Sequence, residues 1–299
     1  MRYREHPPHP ALAPYVECFW SASDPEAVAG TVETIFPDGC PEWIFHLDAP
    51  YRSAGSGPGT QPRSFLVGTT TGPTSIETTG AVSTFSVRFR PAGVSAFHGV
   101  ALSELADAAA TSEELWDGLG RRIEDAVRGA RDDRSRRQAV EVFLLSRLRP
   151  DRPARRNLDA AVAIILAARG AVSIAALASR LGTGRRRLER TFAAGVGVPP
   201  KTLARVARFQ NALRRSSGAP PRWAEIAAEC GYADQAHLIR EFREFSGETP
   251  AGWDSARGDL APHFLDPERL DRMFEPDVAF VQDGGGESDL PSPAQGGQR

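Results

Sequence analysis

Arginines at i and i+4 on a short helix can grip DNA, because guanidinium forks pair with guanine edges and with phosphates. Arg185-Arg186-Arg187-Leu188-Glu189-Arg190 has that layout. Arg186 and Arg190 share one outward face, and Arg185 stands at the helix start, where phosphate comes closest. Glu189 lies near the same face and can accept from a cytosine amine or steer Arg190. Arg187 is rotated about 100° from Arg186, toward backbone or solvent. Gln235-Ala236-His237-Leu238-Ile239-Arg240 repeats the arrangement. Gln235 can pair with adenine, and Ala236 allows close approach or touches a thymine methyl. Arg240 completes that face unless a nearby glutamate claims it. His237 is either a base reader or a buried or capping histidine. Lys201 and Arg222, near two further helix starts, are phosphate candidates.

Other reactive residues point nowhere as definite. Cys18, Cys40 and His46 are separated by 21 and 5 residues. That spacing matches no zinc finger, and a fourth ligand is not evident. Three scattered cysteines argue against a disulfide framework and for a reducing, cytoplasmic setting. Cys230 falls on the apolar side of a helix and reads as core. There is no glycine-rich phosphate loop, Gly-x-Ser-x-Gly elbow or His-Glu-x-x-His. The β region lacks a His-x-His with a later Glu and His, which leaves a metal-bearing cupin unsupported. No catalytic residue, cofactor or metal is therefore assigned. Two alternatives stay open: thiol chemistry at Cys18 or Cys40 in an enzymatic N-terminal half, and a non-specific architectural DNA binder.

The polar faces need short helices to hold them out. Val172–Gly182 has Ala and Leu on one face, a turn follows at Thr183-Gly184, and Arg185–Phe192 forms the next helix. Trp223–Tyr232, a turn at Ala233-Asp234, and Gln235–Phe242 repeat the pattern. Gly182 and Gly231 suit helix ends, where a left-handed residue without Cβ is favoured. Leu188/Phe192 and Leu238/Phe242 sit at i,i+4 and should point inward. Ser173 can cap the first helix. Pro200 suits the first turn of a helix running to Ser216. Such a connector spans roughly 26 Å. Successive major grooves on one face lie about 34 Å apart, so it could set two recognition helices into neighbouring grooves, with DNA bending.

Charge is distributed unevenly. Arg152–Gly258 holds 18 Lys+Arg against 9 Asp+Glu, while the whole chain carries a net −2. A basic block beside an acidic remainder is the footprint of a polyanion-binding domain joined to something else. With 299 residues the chain suits two domains. No apolar run is long enough to span a membrane, and Met1–Pro10 has no signal-peptide core.

Residues Pro10 to Arg90 read as β. Val16–Ser21 and Thr31–Phe36 are rich in β-branched and aromatic residues. Thr31–Phe36, the Pro37-Asp-Gly-Cys-Pro41 turn and Glu42–Leu47 resemble a hairpin. Asp48–Arg63 reads as a loop, and Phe65–Val67 and Ser75–Thr78 as short strands. In Thr84–Arg90, Phe85, Val87 and Phe89 alternate with Ser86, Arg88 and Arg90, which predicts one apolar and one wet face. Short helices are expected over Ala92–Gly99, Leu102–Ala108, Glu113–Leu119, Arg121–Ala130, Arg134–Leu148 and Leu158–Ala168. Beyond Trp253 the chain turns acidic, with a short helix over Leu265–Phe274, a strand over Val278–Gln282, and disorder from Gly284.

Val172–Trp253 resembles the DNA-binding domain of the AraC/XylS transcription regulators. The first motif matches through Leu177-Ala178, Leu181-Gly182, Leu188, Arg190, Phe192 and Gly197–Pro200. The second matches through Ile226-Ala227, Cys230–Tyr232, Gln235, His237-Leu238, Arg240–Phe242 and Ser246–Pro250. One departure is Gly184, where such families carry Ser or Thr, so Thr183 is expected to cap instead. The N-terminal half is similar, more loosely, to an uncharacterised regulator subgroup with a Pro-Asp-Gly-Cys turn and an Arg-Phe-Arg-Pro-Ala-Gly segment. The expected fold class is α+β. Residues 1–90 form a small antiparallel, cupin-like β-barrel or sandwich that acts as sensor, and 91–150 a helical appendix. Residues 151–254 form an all-α domain with two helix–turn–helix units joined by a long helix, and 255–299 an acidic, partly disordered tail. The resemblance implies double-stranded DNA as partner and no enzymatic activity. A small-molecule effector, activation through RNA polymerase and a homodimer are further expectations, with no membrane association.

Overall fold

The computed structural model describes residues 1–53, 59–99, 101–149, 153–216, 221–252 and 266–274. The strand expected over 278–282 and the end from Gly284 lie outside these residues. Among the described residues nine strands come first: β1 (Arg2–His6), β2 (Val16–Asp24), β3 (Val32–Ile35), β4 (Glu42–His46), β5 (Arg52–Ser53), β6 (Ser64–Val67), β7 (Thr74–Glu77), β8 (Val82–Phe89) and β9 (Ala109–Thr111). They build a larger sheet in the order β1-β2-β8-β4-β6-β9 and a smaller one in the order β3-β7-β5. Every pairing between them is antiparallel.

Strand alternation assigns the two faces of the larger sheet different work. Phe19, Trp43, Phe45, Phe85 and Val87 point to one face and are buried against the helices α1 (Ser112–Trp116), α2 (Gly118–Gly129) and α3 (Asp133–Leu145). Each of those side chains contributes about 1.5–3 kcal/mol by leaving water. Trp43 also donates its indole N–H to Ser112 Oγ at 2.7 Å. Cys18, Trp20 and Ala22 point to the opposite face, toward Tyr51 and Ile76 under the smaller sheet.

Several expectations give way here. The segment Thr31–Leu47 is not a hairpin: β3 pairs with β7, and β4 pairs with β6 and β8 in the other sheet. The turn between them is a crossing between layers. Pro37 and Pro41 have no N–H for a ladder, and Asp38 Oδ1 instead accepts from Cys40 N at 2.8 Å. Gly39 takes φ +82°. The face of β8 expected to be wet is covered, because the smaller sheet lies over it, and Thr84, Ser86 and Arg88 are all buried. The first two helices expected after Pro91 are single 3-10 turns, Gly93–Ala96 and Leu102–Leu105. Strands β1 and β9, and the short β5 inside the expected loop, add to those read from the sequence.

The C-terminal half is helical: α4 (Pro153–Ala167), α5 (Ile174–Arg180), α6 (Arg185–Gly195), α7 (Pro200–Ser216), α8 (Trp223–Glu229) and α9 (Gln235–Ser246). A further helix, α10 (Pro267–Phe274), returns to pack on α4 and α7. No helix among the described residues is long and apolar enough to cross a membrane.

His46 is a titratable group buried in the sandwich. Its Nε2 pairs with Gln61 Oε1 at 3.0 Å. Burial lowers its pKa from 6.5 to about 4, against the pull of that bond. The unfolded chain therefore takes up a proton below about pH 6.5 that the folded chain refuses until about pH 4, and stability is lost as pH falls through that window. Urea unfolding followed from pH 7 to 4 should show a loss of up to about 3 kcal/mol from this group. His46→Gln should flatten that part of the slope, whereas an unchanged slope would contradict the assignment.

Candidate nucleic-acid interface

Local rules set each recognition helix. Ser173 Oγ accepts from Ala176 N at 3.4 Å and caps α5. Gly182 then takes φ +59°. Gly184 is the N-cap of α6 and no side chain caps it, so Thr183 does not fill that role. Leu188 and Phe192 are buried with Leu177, Ile165 and Leu203. That leaves Arg185, Arg186, Arg187 and Arg190 exposed. Glu189 binds Arg185, Oε1 to Nε at 2.9 Å, and so steers that residue rather than Arg190. Arg186 and Arg190 form no hydrogen bond or ion pair with the described residues.

The second unit follows the same logic with a stronger cap. Gly231 takes φ +74°, and Asp234 Oδ1 accepts from His237 N at 2.6 Å to start α9. Leu238 and Phe242 are buried with Phe209 and Ile226. Gln235, Ala236 and Arg240 are exposed on one side. Arg240 forms no ion pair with the described residues. His237 is half-buried and turned inward. Its Nδ1 accepts from Ala233 N at 3.3 Å, and its Nε2 lies 3.4 Å from Glu241 Oε1. The ring also meets Tyr232 edge-on. Lys201 is exposed in the first turn of α7, and Arg222 pairs with Glu225 at 3.0 Å.

The residue that sequence reasoning missed is Glu241. It is 4% exposed and accepts from Arg205 Nε at 2.7 Å and Arg208 at 3.0 Å, both on α7. Glu244 joins Arg205 from the next turn. The signal was present as two arginines three apart on one helix and two glutamates three apart on another, each pair sharing a face. This network fixes α9 to the connector.

A second candidate site lies between the two sheets. A cavity of about 120 Å³ is bounded by Trp20, Ile35, Phe36, Tyr51 and Ile76, with Asp38, Glu42 and Arg88 at one end. Arg88 touches Glu17 at 3.3 Å and also pairs with Asp38 and Glu42. Burial pushes Glu42 up to about 8, against the pull of Arg269. Burial also drives the thiols of Cys18 and Cys40 well above their usual range. A cysteine nucleophile needs the opposite environment, so the thiol-chemistry alternative finds no support in this geometry. The crossing turn links the cavity to the helical half. Phe36, Asp38 and Cys40 line the cavity, while Pro37 O accepts from Gln210 Nε2 on α7 at 2.7 Å. Gly39 packs against the Leu203 side chain, and its φ of +82° is a conformation that L side chains rarely adopt, so glycine suits this turn.

Two substitutions separate positioning from reading. Glu241→Gln leaves two arginines short of their shared carboxylate and should cost about 3 kcal/mol in chemical unfolding, with DNA affinity lost alongside. Arg240→Ala should leave unfolding within about 0.5 kcal/mol of the parent and still weaken DNA binding. Equal stability in both variants would contradict the positioning role of Glu241.

Residues 177–256 match a family model described as a helix-turn-helix domain, of the AraC type. Residues 4–111 match a model described as a domain of unknown function, DUF6597. A comparison with curated proteins finds no match. Among solved structures, ToxT from Vibrio cholerae O395 is similar at 12% identity and TM-score 0.40, over 85% of this chain and 98% of that one. Unsaturated fatty acid bound wild-type ToxT from Vibrio cholerae strain SCE256 is similar at 11% identity and TM-score 0.42, over 77% and 91%.

Proposed function

We propose that this chain, a DNA-binding transcription regulator with an AraC-type helix–turn–helix domain behind a DUF6597 domain, reads two adjacent major grooves with α6 and α9. The observation that carries the reading is a pair of exposed polar helix faces mounted on one buried connector. Arg186 and Arg190 read bases from α6, and Arg185, steered by Glu189, takes a phosphate. Gln235, Ala236 and Arg240 read from α9. Lys201 holds backbone phosphate at the start of α7. His237 acts mainly by holding the turn before α9, since both its nitrogens are engaged within the chain. Arginine–phosphate contacts supply affinity and salt dependence, and base contacts supply specificity.

The β-rich half carries an effector site in the cavity between its sheets. The crossing turn Pro37–Cys40 passes its occupancy to α7. Such a ligand acts only by binding one arrangement of turn and connector more tightly than another. RNA polymerase and a second copy of the chain are the further partners of this reading.

Binding-site selection from randomised DNA with the full-length protein tests it. Two short preferred blocks about one helical turn apart should emerge. Arg186→Ala should relax one block and Gln235→Ala the other, each at about 1–3 kcal/mol. Binding at low salt with no preferred block would replace the specific regulator with an architectural DNA binder.

A further inference from the structure

The charged groups at the inner end of the cavity are already matched. Among the described residues that line it, the acidic and basic ones are Asp38, Glu42 and Arg88. Arg88 is 2% exposed, lies 3.3 Å from Glu17 and pairs with Asp38 and Glu42. Behind the wall, Arg269 lies 3.6 Å from Asp38 and 3.7 Å from Glu17, Arg272 holds Glu5 at 2.9 Å, and Arg90 also draws on Glu17. Burial raises Glu42 to about 8, and with that carboxyl protonated Arg88 still keeps Glu17 and Asp38.

That matching works against a charged ligand of either sign. An anion would have to take Arg88 from its carboxylates, and a cation would have to take Asp38 from two guanidinium groups. Either exchange strands a buried charge where screening is weak. The rest of the wall is uncharged. Trp20, Phe36 and Tyr51 contribute rings, and Ile35, Ile44 and Ile76 branched chains. His46 is neutral at neutral pH, because burial lowers it to about 4, and its Nε2 pairs with Gln61 Oε1 at 3.0 Å. Gln61, Thr70 and Thr74 also line the cavity. The side-chain amide nitrogen of Gln61 and the two hydroxyls form no hydrogen bond with the described residues, so they are available to a neutral hydroxyl or carbonyl. The cavity measures about 120 Å³, which suits a single ring or a short branched chain, since cavities of about 150 Å³ hold benzene.

We propose that the cavity takes an uncharged, compact molecule, a small apolar body that carries one hydroxyl or carbonyl group. The assignment rests on the effector-site reading above and names the ligand class for it. The apolar body lies among the rings and isoleucines, and its polar group bonds to Gln61, Thr70 or Thr74. The ion cluster around Arg88 closes the inner end and stays intact when the ligand binds.

The test is calorimetric titration of the full-length protein at neutral pH with benzyl alcohol, benzylamine, benzoate and toluene, with DNA affinity measured at saturation. Benzyl alcohol should bind about tenfold or more tighter than either charged analogue, and about fivefold tighter than toluene. Gln61→Leu should narrow the advantage over toluene. Ile76→Phe fills the cavity and should weaken benzyl alcohol binding about tenfold or more. Should that variant not fold, Val67→Phe serves in its place, since Val67 is half-buried and also lines the cavity. Benzylamine or benzoate binding as tightly as benzyl alcohol overturns the uncharged class and leaves an effector site standing. Toluene binding as tightly overturns the hydroxyl or carbonyl. Undiminished binding to the filled variant overturns the cavity as the site. Benzyl alcohol binding with no change in DNA affinity upholds the ligand class and overturns the effector role. No binding by any of the four probes overturns both.

Discussion

Helix α7 belongs to two hydrophobic cores at once, and the relative placement of α6 and α9 depends on that. Leu203, Ala204 and Ala207 pack with the first helix–turn–helix unit, while Val206, Phe209, Ala212 and Leu213 pack with the second. Ten of its 17 residues are buried, so the helix has no broad wet face and cannot roll without opening one core. A rod of about 26 Å held on both sides sets the separation and relative rotation of α6 and α9. The buried carboxylate of Glu241, shared by Arg205 and Arg208, adds a polar lock at the same junction. Ridges of small and large side chains alone would tolerate some sliding. A charge network inside that packing does not, because any slip strands a buried charge.

The β half meets this same rod. The turn Pro37–Cys40 has the cavity on one side and α7 on the other, with the Gln210 amide on the Pro37 carbonyl and Gly39 against Leu203. Phe36 lines the cavity and also packs against the core of the second unit. Thr69, from the loop after β6, donates to Val196 O at the end of α6 at 2.6 Å. Contacts from the sandwich thus reach both units, and α10 adds a third link. A change in the carboxylate cluster around Arg88 has short physical routes to the helical half: through Asp38 into the turn, and through Arg269 into α10.

Local signals in the sequence located the elements of the two helix–turn–helix units well. Glycines that end α5 and α8, inward Leu/Phe pairs, and a proline opening α7 each depend only on neighbours within a turn or two, and they stand where spacing put them. The β half was legible as strands but not as a sandwich. Alternation in Thr84–Arg90 separates two faces, yet it cannot say that a second sheet covers the polar one and buries Arg88 among carboxylates. The Pro37–Pro41 segment has the composition of a hairpin turn. Which partner strands β3 and β4 choose is decided by residues 19 to 46 positions away. The same distance hid the Glu241 network, whose arginines lie 36 and 33 positions away. The short helix near residue 270 was readable, whereas its burial in the acidic cluster was not, because nothing local marks Arg269 as different from an exposed arginine.

The central claim is that one rigid connector presents two recognition helices to neighbouring grooves on the same face of DNA. Hydroxyl-radical footprinting of the full-length protein on its selected site tests this most directly. The account predicts two protected patches on one face, centred about 10 base pairs apart. A single patch, or patches on opposite faces, would contradict it.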